Sequence, residues 1–281
     1  MNKEKDEQYF PAGQFQECLR TERIARQVLW KEEIDSTNNW AREYAGSRCW
    51  TEKGTDPDGT LFVAEKQTGG KGRQGRIWTS PPGENIYMSL LLWKPEIKAL
   101  SASQLTLVMG LSVAQGMEEL TGRKAGIKWP NDVVYSGKKI CGILTEMRIQ
   151  DGKPEYIVIG TGINVNQEKF SAELRDKATS VFLETGKKAD RIQGIARVME
   201  CFEKNYRKFL RTEDLSLIRE DYESLLLNKD RQVRIIERKG QWQGTARGIN
   251  DRGELLVEDS QGKRREILSG EVSVRGLYSY V

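Results

Sequence analysis

Residues 60–83 read TLFVAEKQTGGKGRQGRIWTSPPG, and this stretch decides which fold can hold its glycine-rich loop. The apolar segment from Thr60 to Ala64 is typical of a buried strand. The loop from Gly69 to Arg76 then places four glycines and three cations in eight residues. Glycines allow backbone N–H groups to approach an anion, and the cations neutralise its charge. We therefore predict an anion-binding loop directly after a strand, with a solvated basic turn as the alternative.

The spacing of Gly70, Gly72 and Gly75 also matches G-x-G-x-x-G, a pattern of two well-known phosphate-binding folds. A dinucleotide-binding fold needs a helix to begin at this loop. Here the chain continues through residues 77–82, which end in two prolines and are a poor start for a helix. The HRD and DFG motifs of protein kinases are missing, and no Gly-Lys-Ser/Thr closes a Walker A loop. The loop therefore indicates an anion site in a different fold.

The composition limits the available chemistry. The chain has 281 residues, enough for one large domain and a small one, and its 37% hydrophobic and 31% charged residues are typical of a soluble globular protein. There is no histidine, which excludes Ser-His-Asp and Cys-His nucleophiles and histidine metal sites. Chemistry must therefore depend on lysine, arginine, carboxylates, backbone amides and a divalent ion. The widely spaced cysteines are interpreted as free thiols: Cys18, Cys49, Cys141 and Cys201.

The ends and charge of the chain bear on its location. The first ten residues are polar, and no apolar run approaches the roughly 20 residues that span a bilayer. We therefore expect a cytoplasmic protein with no membrane partner. A net charge of +4 permits anionic ligands, but no block of like charge indicates a nucleic-acid-binding arm. No nucleic-acid partner is expected.

Hydrophobic patterns predict an α+β fold, with a mixed β-sheet and flanking helices followed by a small β-barrel. Alternation from Ile86 to Leu92 predicts a half-buried strand. Ser101 and Gln104 predict a capping box for a helix that Gly122 ends. The predicted division is a flexible extension over residues 1–13, a first domain over residues 14–228 and a β module over residues 229–281.

Two further segments carry groups suited to a binding site. Between Lys128 and Asp132, Pro130 stops a strand just after the lysine, which would hold Lys128 at a sheet edge facing a cleft. A surface lysine beside a core tryptophan is the alternative. Between Gly160 and Asn164, small residues at the end of an apolar strand allow close approach to the backbone, although a tight turn is the commoner explanation.

Five blocks occur along the chain in this order: Ser36-Thr37-Asn38, the glycine loop with Gln67 before it and Trp78 after it, Lys128 to Asp132, Gly142 to Glu146, and Gly160 to Asn164. Together they resemble the biotin–protein ligase family, also called biotin–[acetyl-CoA-carboxylase] ligases. The likeness covers about residues 19–274 and includes a C-terminal SH3-like module. Each block alone is weak, whereas five in order are specific.

The resemblance implies a class II synthetase-like, biotin–lipoate ligase catalytic domain and a C-terminal SH3-like β-barrel. It implies that biotin attacks the α-phosphate of ATP, with Mg²⁺, to give biotinyl-5′-AMP and pyrophosphate. A lysine of a biotin carboxyl carrier protein would then displace AMP. Because a biotin carboxylate is already ionised near neutral pH, the first step needs charge neutralisation and placement rather than a base.

The resemblance also implies site residues, while the metal ligands stay unknown. Arg73 and Lys128 would be catalytic, with Lys128 bridging the carboxylate and the α-phosphate. Asp132 is a candidate base for the acceptor lysine. The nucleotide side would comprise Arg73, Arg76, Trp78, Lys128 and Asn164. The biotin side would comprise Ser36, Thr37, Asn38, Gln67, Gly70, Lys71, Gly72, Arg73, Lys128 and Gly160.

One position departs from the family's pattern. The first cation of the loop is often arginine in this family, and here it is Lys71. Lysine offers a compact charge rather than a two-pronged donor. We therefore predict that the loop closes over its intermediate but releases it somewhat faster than an arginine loop would.

Three alternatives stand beside this interpretation. A lipoate–protein ligase shares the catalytic architecture, although the basic loop and the segment from Lys128 to Asp132 favour biotin. A DNA-binding regulator of the same family would need a module of roughly 60 residues, and 35 residues precede Ser36, so we expect a form without the DNA-binding domain and no sequence-specific operator binding. A basic nucleic-acid-binding module would bind without ATP turnover. A homodimer is kept as a possible assembly.

Overall fold

The computed structural model describes residues 11–47, 49–51, 54–237, 240–268 and 273–276, and its main element is a seven-stranded sheet. Its strands are β1 (Val28–Ile34), β2 (Leu61–Gln67), β3 (Ile86–Trp93), β4 (Gly126–Lys128), β5 (Asp132–Tyr135), β6 (Lys138–Gln150) and β7 (Lys153–Ile163). They lie in the order β1-β2-β3-β7-β6-β5-β4. The β1–β2 pair is parallel and the other pairs are antiparallel, so the sheet is mixed, as predicted.

Helices cover both faces of this sheet. They are α1 (Ala12–Cys18), α2 (Thr37–Ser47), α3 (Leu105–Thr121), α4 (Val181–Thr185), α5 (Arg191–Thr212) and α6 (Arg219–Leu225). On one face, Ala41 and Ala45 lie one turn apart in α2 and pack against Phe62 and Leu91. On the other face, α3 and α5 pack together over the main core.

Helices cover both faces of the sheet, so the prediction that β3 is half-buried has to be corrected. Its residues are buried from Ile86 to Leu92, with Leu91 directed to the α2 face and its neighbours Leu90 and Leu92 to the opposite core. The alternation in the sequence therefore separates two apolar faces rather than a wet face from a dry one. The half-buried interpretation was wrong because a central strand between two helical layers has no solvent face.

The helix predicted after Ser101 begins later and without the expected cap. Residues Ala99–Gln104 form a 3₁₀ helix, α3 begins at Leu105, and Gln104 makes no side-chain cap hydrogen bond. The capping-box prediction was wrong because the tighter 3₁₀ turn removes Ser101 from the cap position. The C-terminal end is as predicted: Gly122 has φ 70° and its N–H donates to the Glu118 carbonyl.

Glu203 on α5 anchors the segment that leads into β1. Its carboxylate accepts the N–H groups of Glu22, Arg23 and Ile24 at 2.9, 2.7 and 3.0 Å, and Arg207 lies 3.2 Å away. Burial acts to raise the pKa of this carboxyl, but the three N–H donors and Arg207 outweigh it and hold the pKa below its usual value. The charge of Glu203 therefore stabilises the folded chain.

The C-terminal part is a separate antiparallel sheet of five strands. They are β8 (Gln232–Glu237), β9 (Gly240–Ile249), β10 (Leu255–Asp259), β11 (Arg264–Ile267) and β12 (Ser273–Gly276), in the order β11-β10-β9-β8-β12. The predicted α+β class with a small C-terminal β module of SH3-like type is confirmed. The domain bounds stay predictions, and residues 1–10 of the predicted extension and 238–239, 269–272 and 277–281 of the module lie outside the described residues.

The four cysteines are free, as predicted, with Cys141 and Cys201 buried. Burial raises the pKa of both of these thiols. No helix within the described ranges has the length and apolar character needed to cross a membrane. The cytoplasmic location, which was predicted from the undescribed first ten residues, stays a prediction.

Candidate active site

The glycine loop leaves β2 and folds back on itself instead of opening a helix. Isolated bridges join Gln67 to Ser80 and Lys71 to Ile77. Between them, Arg73–Gly75 form one 3₁₀ turn in which Gln74 and Gly75 have φ 57° and 72°. The absence of a helix at this described loop excludes the dinucleotide-binding fold, as the sequence predicted.

The glycines of the loop have different reasons to be glycine. A Cβ at Gly70 would lie 2.9 Å from Ser80 Oγ and 3.2 Å from Gln67 Nε2, so this residue is required for packing within the loop. A Cβ at Gly72 would lie 3.3 Å from the Arg76 carbonyl oxygen, which also limits side chains there. A Cβ at Gly75 would have no neighbouring atom within 4 Å, but the positive φ of this residue favours glycine. Packing and backbone conformation therefore explain these glycines as well as close approach of an anion does.

A small polar cavity lies between the start of α2, the glycine loop and the ends of β6 and β7. Its hydrogen bonds are interconnected: the Thr37 N–H donates to Gln67 Oε1 at 2.9 Å, and the Ser89 hydroxyl donates to Asn38 Oδ1 at 2.6 Å. Eight predicted biotin-side residues line it, and Gly70 and Lys128 do not. The eight are Ser36, Thr37, Asn38, Gln67, Lys71, Gly72, Arg73 and Gly160.

A second, larger cavity of about 890 Å³ adjoins the first. All five residues predicted for the nucleotide side line it: Arg73, Arg76, Trp78, Lys128 and Asn164. Lys139 and Lys177 add two more cations, against the carboxylates of Asp132 and Asp176. This excess of positive charge suits a polyanion.

Trp78 lies between the two cavities and lines both. Its indole packs on Gly142 and Gly162, which are register partners on β6 and β7. A Cβ at Gly142 would lie 2.8 Å from Trp78 Cζ3, so the two glycines form a flat floor for the ring. The sequence blocks that begin at Gly142 and Gly160 thus converge on the residue that follows the glycine loop.

Arg73 also lines both cavities, and its Nη1 donates to Asn131 Oδ1 at 3.0 Å. Loss of water around the guanidinium lowers its pKa; nearby Asp132 opposes that shift, and Arg76 adds to it. An arginine nevertheless stays charged at neutral pH. A partly buried cation at the junction therefore favours an anion that reaches into either cavity.

Lys128 lies at the end of β4, the edge strand of the sheet, and is only 3% exposed. The alternative of a surface lysine was therefore wrong. Next to it, the Trp129 N–H donates to Asn228 Oδ1 at 2.8 Å and the Trp129 indole N–H donates to the Gly253 carbonyl at 2.9 Å. The turn between β9 and β10 of the C-terminal sheet thus anchors the segment that carries Lys128.

Sequence reasoning assigned no role to Lys139, which lines both cavities. Its Nζ lies 2.5 Å from Asp132 Oδ1 and 5.2 Å from the centroid of the Trp78 ring. Lys128 lines only the larger cavity of these two. Lys139 precedes Gly142 by three residues, and the pairing of β6 with β5 places it opposite Val134, two residues after Asp132. That pairing was the signal that could have identified it.

These features define a class of protein that binds two ligands side by side, with cations and a tryptophan at their junction. The comparisons agree with this class. Residues 32–164 match the Biotin/lipoate A/B protein ligase family, and residues 230–275 match the Biotin protein ligase C terminal domain.

Relatives and solved structures extend the match over most of the chain. The Bifunctional ligase/repressor BirA of Bacillus subtilis is 39% identical over 258 residues, which cover 91% of this chain and 76% of that protein. The Biotin--[acetyl-CoA-carboxylase] ligase of Mycobacterium tuberculosis is 32% identical, covering 78% and 80%. A biotin protein ligase from Aquifex aeolicus in complex with biotin and ATP superimposes with a TM-score of 0.76 at 34% identity, covering 89% and 99%. This chain therefore belongs to the biotin/lipoate protein ligase family and, within it, to the biotin protein ligases.

Proposed function

We propose that this protein activates biotin with ATP to biotinyl-5′-AMP and transfers the biotinyl group to a lysine of a biotin carboxyl carrier protein. The observation that carries the proposal is the position of Arg73, which lines both cavities and is held by Asn131. A guanidinium there can contact a carboxylate on one side and a phosphate on the other. Such a contact suits an acid that attacks the α-phosphate of ATP.

The smaller cavity supports the assignment of biotin. A ureido ring needs both donors and acceptors, and Ser36, Thr37, Asn38 and Gln67 supply both kinds of group on its wall. Lys71 and Gly72 lie on the loop side, where the carboxylate would meet the cations. Gly160 leaves room for the side chain of Asn38, which any side chain at position 160 would displace.

The larger cavity supports the assignment of ATP. Arg76 and Lys128 provide charge for the phosphates, while Trp78 offers a flat apolar surface and Asn164 a polar one. The Asn164 side chain already donates to the Thr179 carbonyl at 3.1 Å, so its orientation is fixed before any ligand binds.

In the first step, the ionised carboxylate attacks the α-phosphate and pyrophosphate leaves, so no base is required. Arg73 and Lys139 lie where the carboxylate and the α-phosphate would meet, and they neutralise the charge that develops there. Each such contact contributes about 3 kcal/mol in a site that excludes water. Lys128, which lines the larger cavity, stays the proposed bridge between the carboxylate and the α-phosphate, and we add Lys139 as a further cation at the junction of the two cavities.

The second step needs an acceptor lysine that has lost its proton. Asp132 stays the candidate base because it lines the larger cavity. Its carboxylate lies 2.5 Å from Lys139 Nζ, so it also positions the cation of the first step. The two roles are compatible if the lysine of the carrier approaches after pyrophosphate has left.

Mg²⁺ is the ion expected with ATP, and the donor set bears on how it would be held. Among the residues that the structure describes, no group of three or more histidine, cysteine or acidic side chains could hold a metal. The larger cavity includes the carboxylates of Asp132 and Asp176. This set fits a magnesium ion bound mainly by phosphate oxygens and water, with one of these carboxylates nearby. The ion would supply charge neutralisation on the triphosphate.

Partners follow from the family. Biotin protein ligases act on biotin carboxyl carrier proteins, and we propose that such a carrier, as in acetyl-CoA carboxylase or a similar enzyme, is the macromolecular substrate. A homodimer stays a prediction. The regulator and the nucleic-acid-binding module stay alternatives, and the relatives named as biotin ligases do not favour lipoate.

The test is exchange of labelled pyrophosphate into ATP by the purified protein. We expect exchange with biotin and Mg²⁺, and none when lipoate replaces biotin or when no acid is added. Exchange with lipoate but not with biotin would contradict the assignment of the acyl substrate. Binding of nucleic acid without any exchange would support the basic binding module instead.

A further inference from the structure

Both walls of the larger cavity connect to one buried polar cluster that the proposed mechanism does not use. The cluster consists of Asn85, Tyr87 and Gln167, which are 1%, 1% and 8% exposed. Asn85 stands just before β3, Tyr87 lies within it, and Gln167 follows β7. Gln167 lines the larger cavity, and none of the three lines the smaller one.

Asn85 is the centre of the cluster. Its Nδ2 donates to Gln167 Oε1 at 2.7 Å and to Tyr87 Oη at 3.1 Å, so both of its amide hydrogens are used. Its Oδ1 accepts the Val165 N–H at 2.9 Å. A buried amide whose donors lose their partners is costly, so the side chains of the cluster hold one another in place.

Tyr87 connects this centre to the wall formed by the glycine loop. Its hydroxyl donates to the Pro81 carbonyl at 2.9 Å. Burial is the main cause that raises the pKa of the Tyr87 phenol, so the hydroxyl keeps its proton and stays a donor. Pro81 ends the stretch that contributes Arg76 and Trp78 to the cavity.

Gln167 connects the same centre to the opposite wall. Its side-chain Nε2 donates to the Lys169 backbone carbonyl at 2.8 Å, and the backbone carbonyl of Gln167 accepts the Ser180 hydroxyl at 2.6 Å. The wall that follows includes Phe170 and Leu174. Residues 171–177 are all exposed, so this wall has few buried contacts of its own to hold it.

We infer that Asn85, Tyr87 and Gln167 form a positioning cluster that sets the separation of the two walls and so limits the release of the bound adenylate. The inference rests on the proposed function because biotinyl-5′-AMP is the ligand that the walls enclose. No member of the cluster touches the reacting atoms. Its effect should therefore fall on retention of the intermediate and not on biotin binding.

The test compares two tyrosine variants of the full chain. Tyr87→Phe removes only the hydroxyl that holds Pro81. Tyr135→Phe is the matched control: Tyr135 is also 1% exposed and donates to a backbone carbonyl, that of Arg123, at 3.2 Å, but Arg123 belongs to neither wall of the larger cavity. The measurement is the dissociation rate of preformed biotinyl-5′-AMP in a chase with unlabelled adenylate. Melting temperature and biotin Kd are measured in parallel.

Tyr87→Phe loses the hydrogen bond to Pro81 and the one from Asn85, and only the first reaches the loop wall. We expect adenylate release about fivefold faster, the effect of that one bond to the wall, with biotin Kd within about twofold of wild type. The melting temperature of Tyr135→Phe should fall by about as much as that of Tyr87→Phe, while its rate of adenylate release should stay that of wild type. Equal release from wild type and Tyr87→Phe, or equal acceleration in both variants, would overturn the inference.

A second variant covers the case in which Tyr87→Phe does not fold. Gln167→Met keeps the length of the side chain and removes the amide that joins Asn85 to the other wall, so the same acceleration is expected. Wild-type release from Gln167→Met would overturn the inference. Failure of the proposed function is visible separately, because wild type would then form no adenylate from biotin and ATP.

Discussion

Gly160→Ala tests whether the smaller cavity is the biotin site. Gly160 lies on β7 without a positive φ, so alanine is compatible with its backbone. The added Cβ would lie 2.8 Å from Asn38 Cγ and closer still to Asn38 Oδ1. That is closer by about 1 Å than ordinary van der Waals contact, and Asn38 must move.

The size of the expected loss in biotin affinity follows from the two hydrogen bonds that Asn38 would lose. Its Oδ1 accepts from Ser89 at 2.6 Å, and its Nδ2 donates to Glu146 Oε2 at 2.7 Å. A neutral hydrogen bond contributes about 1 kcal/mol and one to a charged group about 2 kcal/mol, so the polar wall weakens by about 3 kcal/mol. We expect biotin affinity to fall by about two orders of magnitude.

Isothermal titration of biotin and of ATP onto Gly160→Ala measures this. ATP affinity should stay within about threefold of wild type, because neither Gly160 nor Asn38 lines the larger cavity. Gly110→Ala on α3 is the matched control, since its Cβ would make an ordinary 3.7 Å contact with Ile143 Cδ1. Unchanged biotin affinity in Gly160→Ala, or equal losses for biotin and ATP, would refute the assignment of this cavity.

Three further predictions concern the loop and the fold. Arg73→Ala should slow biotin-dependent pyrophosphate exchange about a hundredfold, the effect of losing about 3 kcal/mol of charge stabilisation; a loss below tenfold would contradict its place at the junction. Lys71→Arg should slow adenylate release because arginine adds a two-pronged donor; equal release rates in a chase assay would refute this role. Glu203→Gln should lower the free energy of unfolding at pH 7 by about 2 kcal/mol. Because folding lowers the pKa of Glu203, the difference should be complete above the usual value of 4.5 and disappear as pH falls through the lowered pKa of the folded state, and urea titrations in which it persists at still lower pH would be contrary evidence.

Local chemistry allowed much of the fold to be predicted from the sequence. Gly122 ends α3 because its φ of 70° suits glycine, and that signal is contained in one residue. β3 was misjudged because its alternation is the same whether the second face meets water or α2. Only the packing of another element distinguishes these cases, and a single strand carries no information about it.

The sequence predicted which residues belong to the site better than it predicted how they are arranged. The residues named for each side line the expected cavities, with the exceptions of Gly70 and Lys128 on the biotin side. Lys139 went unassigned although the short connection between β5 and β6 brings it beside Asp132. The anchoring of Trp129 by Gly253 joins residues 124 positions apart, and a contact of this kind arises from tertiary structure and leaves no local pattern.

In the proposed mechanism the glycine loop and Lys139 enclose an acyl-adenylate at the junction of the two cavities. This complex can be detected by native mass spectrometry of the protein mixed with biotin, ATP and Mg²⁺, without a carrier protein. We predict one biotinyl-5′-AMP bound per chain and one pyrophosphate released. Bound biotin and intact ATP with no adenylate after prolonged incubation would contradict the claim.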